Sequence, residues 1–240
     1  MKKMKPTRQE KKAIIYLLPA ILLLLFFFLW PIILSCFYSM TDMTLSGTKA
    51  QNYNFVGFSN FTRLFSDPLF KTSFMNTVIF LVFSAIIGQL VLGFIIAFLM
   101  KEKRKGFRSF TGMSVLIGWI MPEVVVALCW VAFFAKDGTL NVILNNTGIL
   151  SEPLSWLYKF PMMTTIVANI WHGTAFSMMQ FQAALDDISG EVEESAELDG
   201  ASGIKKMFYI TIPLVKNTIM TCMSLITLKT LSVFGLIYCV

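Results

Sequence analysis

Long runs without charged residues alternate with short charged segments along the chain. No Asp, Glu, Lys or Arg occurs from Ala13 through Thr41, or from Thr72 through Met100. A helix of about 20 apolar residues crosses the hydrocarbon core of a bilayer, so each run is long enough to span it with some tilt. The pattern predicts an all-α membrane protein with five spanning helices, at residues 13–40, 73–100, 108–134, 160–184 and 214–239.

The predicted domain organisation is simple: a basic tail at residues 1–12 precedes one transmembrane domain at 13–240. Two charged residues fall within predicted spans, Glu123 and Lys229. Because charge in hydrocarbon is costly, both are expected to face a polar interior or to lie near an interface. Pro122 lies in the third predicted helix, where neighbouring groups can satisfy the carbonyl that a proline leaves free.

The distribution of Lys and Arg predicts the orientation. With the N-terminus inside, 14 of these residues fall in cytoplasmic segments and 5 in outer ones. Since basic residues are retained on the cytoplasmic side, the N-terminus and the segment at 186–213 are predicted to be cytoplasmic. The basic segment before Ala13 also resembles the start of a signal peptide, but the apolar run is too long for one and a retained helix is expected.

Composition agrees with this class. The 240 residues are 56% hydrophobic and only 14% charged, with a mean hydropathy of +0.69. The net charge of +6 comes from short segments between apolar runs and not from one basic face, so nucleic-acid binding is not expected. No metal site is expected, because the four cysteines lie in or beside apolar segments without the close pairing of a zinc site.

The most informative segment is residues 186–213, between the fourth and fifth predicted helices. Ser189 is placed to cap a short acidic helix, and Asp199-Gly200 is typical of a turn. Ser202 is placed to cap a second short helix, which ends near Lys206, and Pro213 suits the first turn of the fifth long helix. The residues alone leave two interpretations open: a docking element for a cytoplasmic protein, or a solvated linker on the membrane surface.

This segment resembles the EAA loop of binding-protein-dependent ABC importer permeases. The matching positions are Glu194, Ser195, Ala196, Asp199, Gly200, Ala201, Ile210 and Pro213, with serine in place of the second motif alanine. Further positions resemble the carbohydrate branch of the family, which includes maltose, multiple-sugar and glycerol-phosphate permeases: Phe107, Arg108, Pro122, Trp130, Gly138, Asn141, Gly148, Trp156, Leu157, Trp171, Gly173 and Phe176.

The resemblance implies a type I importer permease in the plasma membrane of a prokaryote. Its implied partners are a second permease subunit, a cytoplasmic ATPase dimer, an extracytoplasmic solute-binding protein and membrane lipid. ATP and Mg²⁺ would be bound by the ATPase and no cofactor by this chain, which lacks a glycine-rich phosphate loop. The coupling to the ATPase is expected to involve Glu194, Ser195, Ala196, Asp199, Gly200, Ala201 and Pro213.

Candidates for the solute pathway are polar or aromatic residues within the predicted helices: Asn76, Gln89, Glu123, Trp130, Asn169, Trp171, His172 and Gln180. A sugar site needs hydrogen-bonding groups beside aromatic faces, which such residues supply. Each residue also has a simpler interpretation, because polar side chains commonly join membrane helices to one another.

Two other functions remain open at this point. A secondary transporter would need no ATPase, and Glu123 beside Pro122 is the one candidate for an ion-coupling carboxylate. A truncated permease that serves only as a scaffold is the other, because the family has six helices and the last apolar run continues to Val240. The expectation is a permease that lacks its sixth helix.

Overall fold

The computed structural model describes residues 8–201 and 203–239, which are mostly helical. The predicted basic tail therefore lies mostly outside the described residues. The helices are α1 (Arg8–Leu24, a π turn Leu25–Leu29, and Trp30–Ser39), α2 (Ser59–Ser66), α3 (Pro68–Met100), α4 (Lys105–Ile120), α5 (Glu123–Phe134), α6 (Thr139–Asn146), α7 (Trp156–Lys159), α8 (Pro161–Asp186), α9 (Gly190–Leu198), α10 (Ile204–Leu214), α11 (Lys216–Leu231) and α12 (Gly235–Cys239).

Within the described part of the chain, three stretches are long and apolar enough to cross a membrane: Tyr16–Ser39, Pro68–Met100 and Glu123–Asn146. A fourth exists if α10 and α11, which meet at 74°, are counted as one broken span. Helix α8 has 26 residues, which is sufficient length, but its polar side chains lower its hydropathy. The predicted fourth helix at 160–184 is confirmed as α8, within two residues at its C-terminal end.

The chain divides into two compact units between Phe74 and Met75. In the first unit, a short loop structure follows α1. Asn60 donates hydrogen bonds to the carbonyls of Ser39 and Thr41, and Asp42 forms an ion pair of 2.8 Å with Lys49. The hydrogen bond from Lys49, together with the one from the Asn54 amide, lowers the pKa of the partly buried Asp42 carboxyl. These contacts order the segment between α1 and α2.

The second predicted span begins earlier than expected, at Pro68 and not at residue 73. The cause is local. Asp67 precedes the helix, and its carboxylate accepts a hydrogen bond of 2.9 Å from the Leu69 amide, which satisfies one of the free donors at a helix N-terminus. Pro68 then occupies the first turn, where a missing N–H has no cost.

Helix α8 is the centre of the second unit and packs against α3, α4, α5 and α11. Its closest neighbour is α3, and glycines make the approach possible. A Cβ on Gly93 would lie 2.5 Å from the Ser177 Cβ, and one on Gly173 would lie 2.1 Å from Gln89 Oε1. Small residues at such crossings let membrane helices pack backbone to backbone.

The prediction of one helix over 108–134 is wrong. The structure has two helices, α4 and α5, separated by Met121 and Pro122, whose backbones are extended with ψ of 138° and 139°. The residue before a proline avoids the helical region, and proline has no N–H to continue the hydrogen-bond ladder. The chain therefore forms two helices separated at Met121 and Pro122, and not one continuous helix that contains the proline.

The prediction for 214–239 is also too long. Helix α11 ends at Leu231, and the short α12 begins at Gly235 and packs against α5. The Ser232 amide and hydroxyl both bond to the Leu228 carbonyl, so Ser232 closes the helix end. Pro213, expected in the first turn of this helix, lies instead in α10, just before the break at Val215.

Asn141 organises the segment that connects α5 to α8. Its amide donates to the carbonyls of Ala135, Lys136 and Leu154, and its side-chain oxygen accepts from the Leu154 amide and the Trp156 indole. The side chain is only 1% exposed. Three donated and two accepted hydrogen bonds at one buried amide fix the path of this segment, whose regular structure is limited to the short helices α6 and α7.

We expect Asn141→Asp to destabilise the protein strongly. The substitution keeps the shape but replaces the donating NH₂ by an oxygen that faces three carbonyls, and each buried unpaired acceptor costs about 1–3 kcal/mol. Thermal unfolding of the purified protein, followed by tryptophan fluorescence, should show a clearly lower midpoint. Asn146→Asp, at an exposed position in the same helix, is the matched control. Equal midpoints for the two variants would contradict the structural role of Asn141.

Candidate functional site

The segment between α8 and α11 forms the predicted helix–turn–helix. Helix α9 begins at Gly190, directly after Ser189, and ends in a turn at Gly200, whose φ is +77°. The Ala201 amide donates to the Ala196 carbonyl at 2.9 Å, which is the hydrogen bond that closes a helix through a left-handed residue. Glycine adopts this conformation without strain. The second helix, α10, continues to Leu214, beyond the predicted end, and the predicted cap Ser202 lies outside the described residues.

The acidic face of α9 is exposed. Glu194, Ser195 and Asp199 are all accessible, and Leu198 at the end of the helix is 88% exposed. Ala196 on the other face is buried. The acidic side chains and Leu198 are therefore accessible to a molecule on this side of α9, while Ala196 is not.

Both ends of this segment are joined to the packed second unit. On the α8 side, Ile188 packs against the buried cluster that contains Leu185 and Val215. On the α10 side, Met207 and Ile212 pack against the same cluster. A cavity of about 370 Å³ remains at the joint, lined by Asp187, Ser189, Val192, Leu214 and Thr218 among others. Motion of α9 would therefore reach α8 and α11 through packed side chains, with free space at the α10–α11 break.

An ion pair also connects α8 to α4 at this end of the unit. Arg108 Nη2 lies 2.5 Å from Asp186 Oδ2. Arg108 is in the first turns of α4 and Asp186 is the last residue of α8, so each charge sits at the helix end where the helix dipole opposes it. The pairing offsets this cost, and it holds two helix ends together beside α9.

A second group of polar side chains surrounds the break between α4 and α5. Lys229 of α11 places its ammonium 5.1 Å from the centre of the Trp119 ring, within the range of a cation–π contact. His172 Nε2 of α8 lies 3.4 Å from the Met121 carbonyl at the break. Glu123 is within electrostatic reach of both Lys229 and His172. We call Trp119, Glu123, His172 and Lys229 the polar cluster.

The polar cluster has unused hydrogen-bonding capacity. The Trp119 Nε1 is buried and has no hydrogen-bond partner among the residues that the structure describes. The Glu123 carboxylate faces Gly235 of α12, where an added Cβ would lie 3.2 Å from Oε2. A carboxylate, an ammonium, an imidazole and an indole from four helices form a set that can bind a polyhydroxylated molecule through hydroxyl hydrogen bonds and ring stacking.

Only part of the polar cluster was predicted from the sequence. Glu123 and His172 were among the predicted pathway residues, whereas Trp119 and Lys229 were not. Lys229 was conspicuous as a single charge in an apolar run, but no pattern indicates that it meets Trp119, which is 110 positions earlier.

Residues 89–233 match the protein family described as binding-protein-dependent transport system inner membrane component. The matched region contains both α9 and the whole polar cluster. The chain belongs to this family.

Relatives of this permease include transporters named for sugars. The lactose transport system permease protein LacF of Rhizobium radiobacter is 28% identical over 226 residues, which cover 93% of this chain and 74% of that protein. The trehalose/maltose transport system permease protein MalF of Thermococcus litoralis is 30% identical over 235 residues, covering 96% and 77%. The permease also resembles, with a TM-score of 0.73 and 25% identity, a crystal structure of a bacterial ABC transporter involved in import of the acidic polysaccharide alginate; the match covers 91% of this chain and 73% of that one.

These comparisons confirm the predicted class: an all-α, multi-pass permease component of a binding-protein-dependent ABC transporter in the plasma membrane. Its relatives are transporter permeases and not enzymes. Neither the secondary transporter nor the scaffold receives support from them.

The remaining predicted pathway residues lie in several places in the permease. Gln89 donates to the Asn169 carbonyl at 3.0 Å and Asn169 donates to the Ser84 hydroxyl at 2.8 Å, so both join α3 to α8. Gln180 is exposed. Trp130 and Trp171 meet edge to face at 6.1 Å. Asn76 lines a separate cavity of about 550 Å³ with Thr165 and Thr230.

Proposed function

We propose that this permease is one of two transmembrane subunits of an ATP-driven importer for sugars or related small polar solutes. An extracytoplasmic binding protein delivers the solute, and a cytoplasmic ATPase dimer docks on α9 and supplies the energy. The names of LacF and MalF support the sugar class, and the polar cluster has side chains suited to hydroxyl groups. ATP and Mg²⁺ are assigned to the ATPase, because the sequence has no phosphate-binding loop.

The observation that carries this proposal is the combination of exposure and anchoring at α9. Its acidic face and Leu198 are free to meet a partner, while Ala196 and the flanking segments pack onto the helical unit. A partner can shift a conformational equilibrium only by contacting its two states differently. A rigid element joined to both α8 and α11 provides such a difference, since it must move when those helices move.

We assign coupling to Glu194, Ser195, Ala196, Asp199, Gly200, Ala201 and Pro213. Glu194 and Asp199 are exposed and suit a basic groove on the ATPase, whereas Ala196 packs inward and Gly200 sets the turn. Pro213 lies two residues before the break at Val215, where α10 and α11 meet at 74°. This break is the place where a displacement of α9 becomes a rotation of α11.

We assign the solute contact in this subunit to the polar cluster, with Trp130 and Trp171 as neighbouring aromatic surfaces. The cluster lies where α4 ends and α5 begins, and binding at interrupted helices is common in transporters because free backbone groups are available there. Trp119 and Lys229 hold each other in place, Glu123 accepts hydrogen bonds from hydroxyls, and His172 is held against the break.

We expect Lys229→Met to reduce solute uptake by about 10- to 100-fold, because a hydrogen bond to a charged group contributes about 1.5–3 kcal/mol. Uptake of radiolabelled sugars by proteoliposomes that contain the assembled transporter is the measurement. ATP hydrolysis stimulated by the binding protein should persist, since the coupling loop is unchanged. Lys216→Met, at the other end of the same helix, should transport normally. Normal uptake by Lys229→Met would remove the polar cluster from the pathway.

The proposal as a whole is tested by purification of the tagged permease from its native membrane, with every partner identified by mass spectrometry. Recovery of an ATPase and a second permease, and binding-protein-stimulated ATP hydrolysis by the complex, is the expected result. Purification of the permease without an ATPase, under conditions that retain other membrane complexes, would contradict it.

A further inference from the structure

Helix α10 has an exposed apolar face that the transport mechanism above does not use. Ile204, Phe208 and Tyr209 are 73%, 56% and 81% exposed, and Lys205 between them is also accessible. The opposite face is packed: Lys206 and Thr211 are buried, and Met207 contacts the core cluster. Among the described residues, the helix is therefore packed on one side and exposed on the other, and its exposed side chains are apolar, aromatic and basic.

The direction of α10 brings this face close to the membrane surface. Helix α11 begins one residue after α10 ends, and the two axes differ by 74°. If α11 crosses the bilayer, α10 lies nearly in the membrane plane at its cytoplasmic boundary. A helix in this position, with apolar and aromatic residues on one side and lysines beside them, has the composition of an interfacial helix. Aromatic rings are enriched at the depth of lipid headgroups, where both their apolar and polar parts are accommodated.

The exposed charges of α9 and α10 differ in sign, which indicates that the two helices have different partners. The exposed residues of α9 include Glu191, Glu194 and Asp199, which anionic lipid would repel. The exposed face of α10 carries Lys205, and Lys216 follows at the start of α11; no acidic residue occurs from Ile204 through Val240. Lysines near the surface of the cytoplasmic leaflet are attracted by anionic lipid. The two adjacent helices are thus suited to two different surfaces.

We propose that Ile204, Lys205, Phe208 and Tyr209 lie in the headgroup region of the cytoplasmic leaflet and bind anionic phospholipid. This inference rests on the proposed function only for the side of the membrane on which α10 lies. The lipid contact then keeps α10 at the membrane surface while the ATPase moves α9. The chain bends at Val215, between the lipid-bound α10 and α11.

The test measures the depth of two labelled positions in the assembled transporter. In a background in which Cys36, Cys129, Cys222 and Cys239 are replaced by alanine, Tyr209→Cys and Leu198→Cys are each labelled with bimane. The complexes are reconstituted in nanodiscs that contain phosphatidylglycerol with brominated acyl chains. We expect brominated lipid to quench the label of Tyr209→Cys severalfold more than that of Leu198→Cys, which lies on α9 and should face the cytoplasm.

Equal, weak quenching of both labels would overturn the inference, and so would a Tyr209→Cys label that becomes shielded from aqueous iodide only when the ATPase is bound. The second result would assign the face to the ATPase.

A further measurement addresses the lipid charge: replacing phosphatidylglycerol by phosphatidylcholine should lower the ATPase activity of the wild-type complex more than that of Lys205→Gln. An equal effect on both would exclude anionic lipid at Lys205. Quenching of Tyr209→Cys in a permease that recovers no ATPase would retain the lipid contact and refute only the proposed function.

Discussion

Replacing Gly200 by valine is expected to abolish import while the permease remains folded in the membrane. Gly200 has a φ of +77°, and a β-branched residue in that conformation costs about 1–3 kcal/mol of strain. Apart from the two neighbouring residues, no described residue has an atom within 4 Å of the position that a Cβ would take, so the expected strain comes from the backbone conformation and not from a clash with these residues. The strain would be relieved by opening the turn, which displaces α9 from the position in which we propose that the ATPase binds it.

The measurements are solute uptake in proteoliposomes and recovery of the ATPase with the tagged permease. Gly200→Asn is the matched variant, because asparagine tolerates the left-handed region better than other non-glycine residues. It should keep much of the uptake that Gly200→Val loses. Full uptake by Gly200→Val would show that the geometry of this turn does not matter for coupling, and a permease that fails to reach the membrane would show that the defect is in folding.

Gly93→Ala is expected to prevent stable packing of α3 against α8. A Cβ at this position would lie 2.5 Å from the Ser177 Cβ and 2.8 Å from the Met178 backbone nitrogen. The second contact is with main chain, which cannot move away by changing a rotamer. The two helices must separate, and Ser84, Gln89 and the surrounding buried contacts at this crossing would be weakened together.

The expected result is a large fall in the yield of detergent-stable protein and in the midpoint of thermal unfolding. Gly112→Ala is the control, because Gly112 is also helical but, outside the backbone of its own helix and its chain neighbours, no described residue has an atom within 4 Å of its Cβ position. Alanine is favoured over glycine in a helix by up to about 1 kcal/mol, so this control should be neutral or slightly stabilising. Similar stability of the two variants would mean that the crossing can relax around a methyl group.

The sequence could predict elements that depend on local composition. Long apolar runs predicted α1, α3 and α8, and the acidic segment followed by Asp199-Gly200 predicted the turn after α9. These features are determined by the preference of side chains for lipid or water and by the backbone conformation that glycine can adopt. Both properties can be assessed one residue at a time. The family resemblance of the same segment led to the permease class, which the comparisons confirm.

Other features depend on whether the local conformational preference of a residue or its tertiary contacts determine the structure. Pro122 was compatible with either a kinked helix or a break, and the extended backbone at Met121 and Pro122 shows which was preferred. The same holds for the end of α11, where Ser232 closes the helix although the apolar run continues. Apolar composition indicates where the chain is in lipid and not where a helix inside that region ends.

The polar cluster could not be derived from the sequence, because its members come from four helices. Lys229 was recognised as unusual, but its position over Trp119 follows from how α11 packs against the rest of the unit. Conversely, Gln89 and Asn169 looked like pathway residues and are engaged in hydrogen bonds between α3 and α8. A polar residue in an apolar run indicates that a partner exists, and only the structure shows whether that partner belongs to the protein.

The hydrogen bonds of Asn141 also bear on the chemical lifetime of the permease. Asparagine side chains hydrolyse spontaneously to carboxylates, and at this position the product would set a negative oxygen against the carbonyls of Ala135, Lys136 and Leu154. In the native structure the side chain is 1% exposed and all of its hydrogen bonds are made, so water has little access to it. Each transient separation of α6 from the segment that follows it removes this protection. Damage at Asn141 should therefore accumulate at a rate set by how often these contacts open, and a molecule that is damaged while they are open cannot form them again correctly.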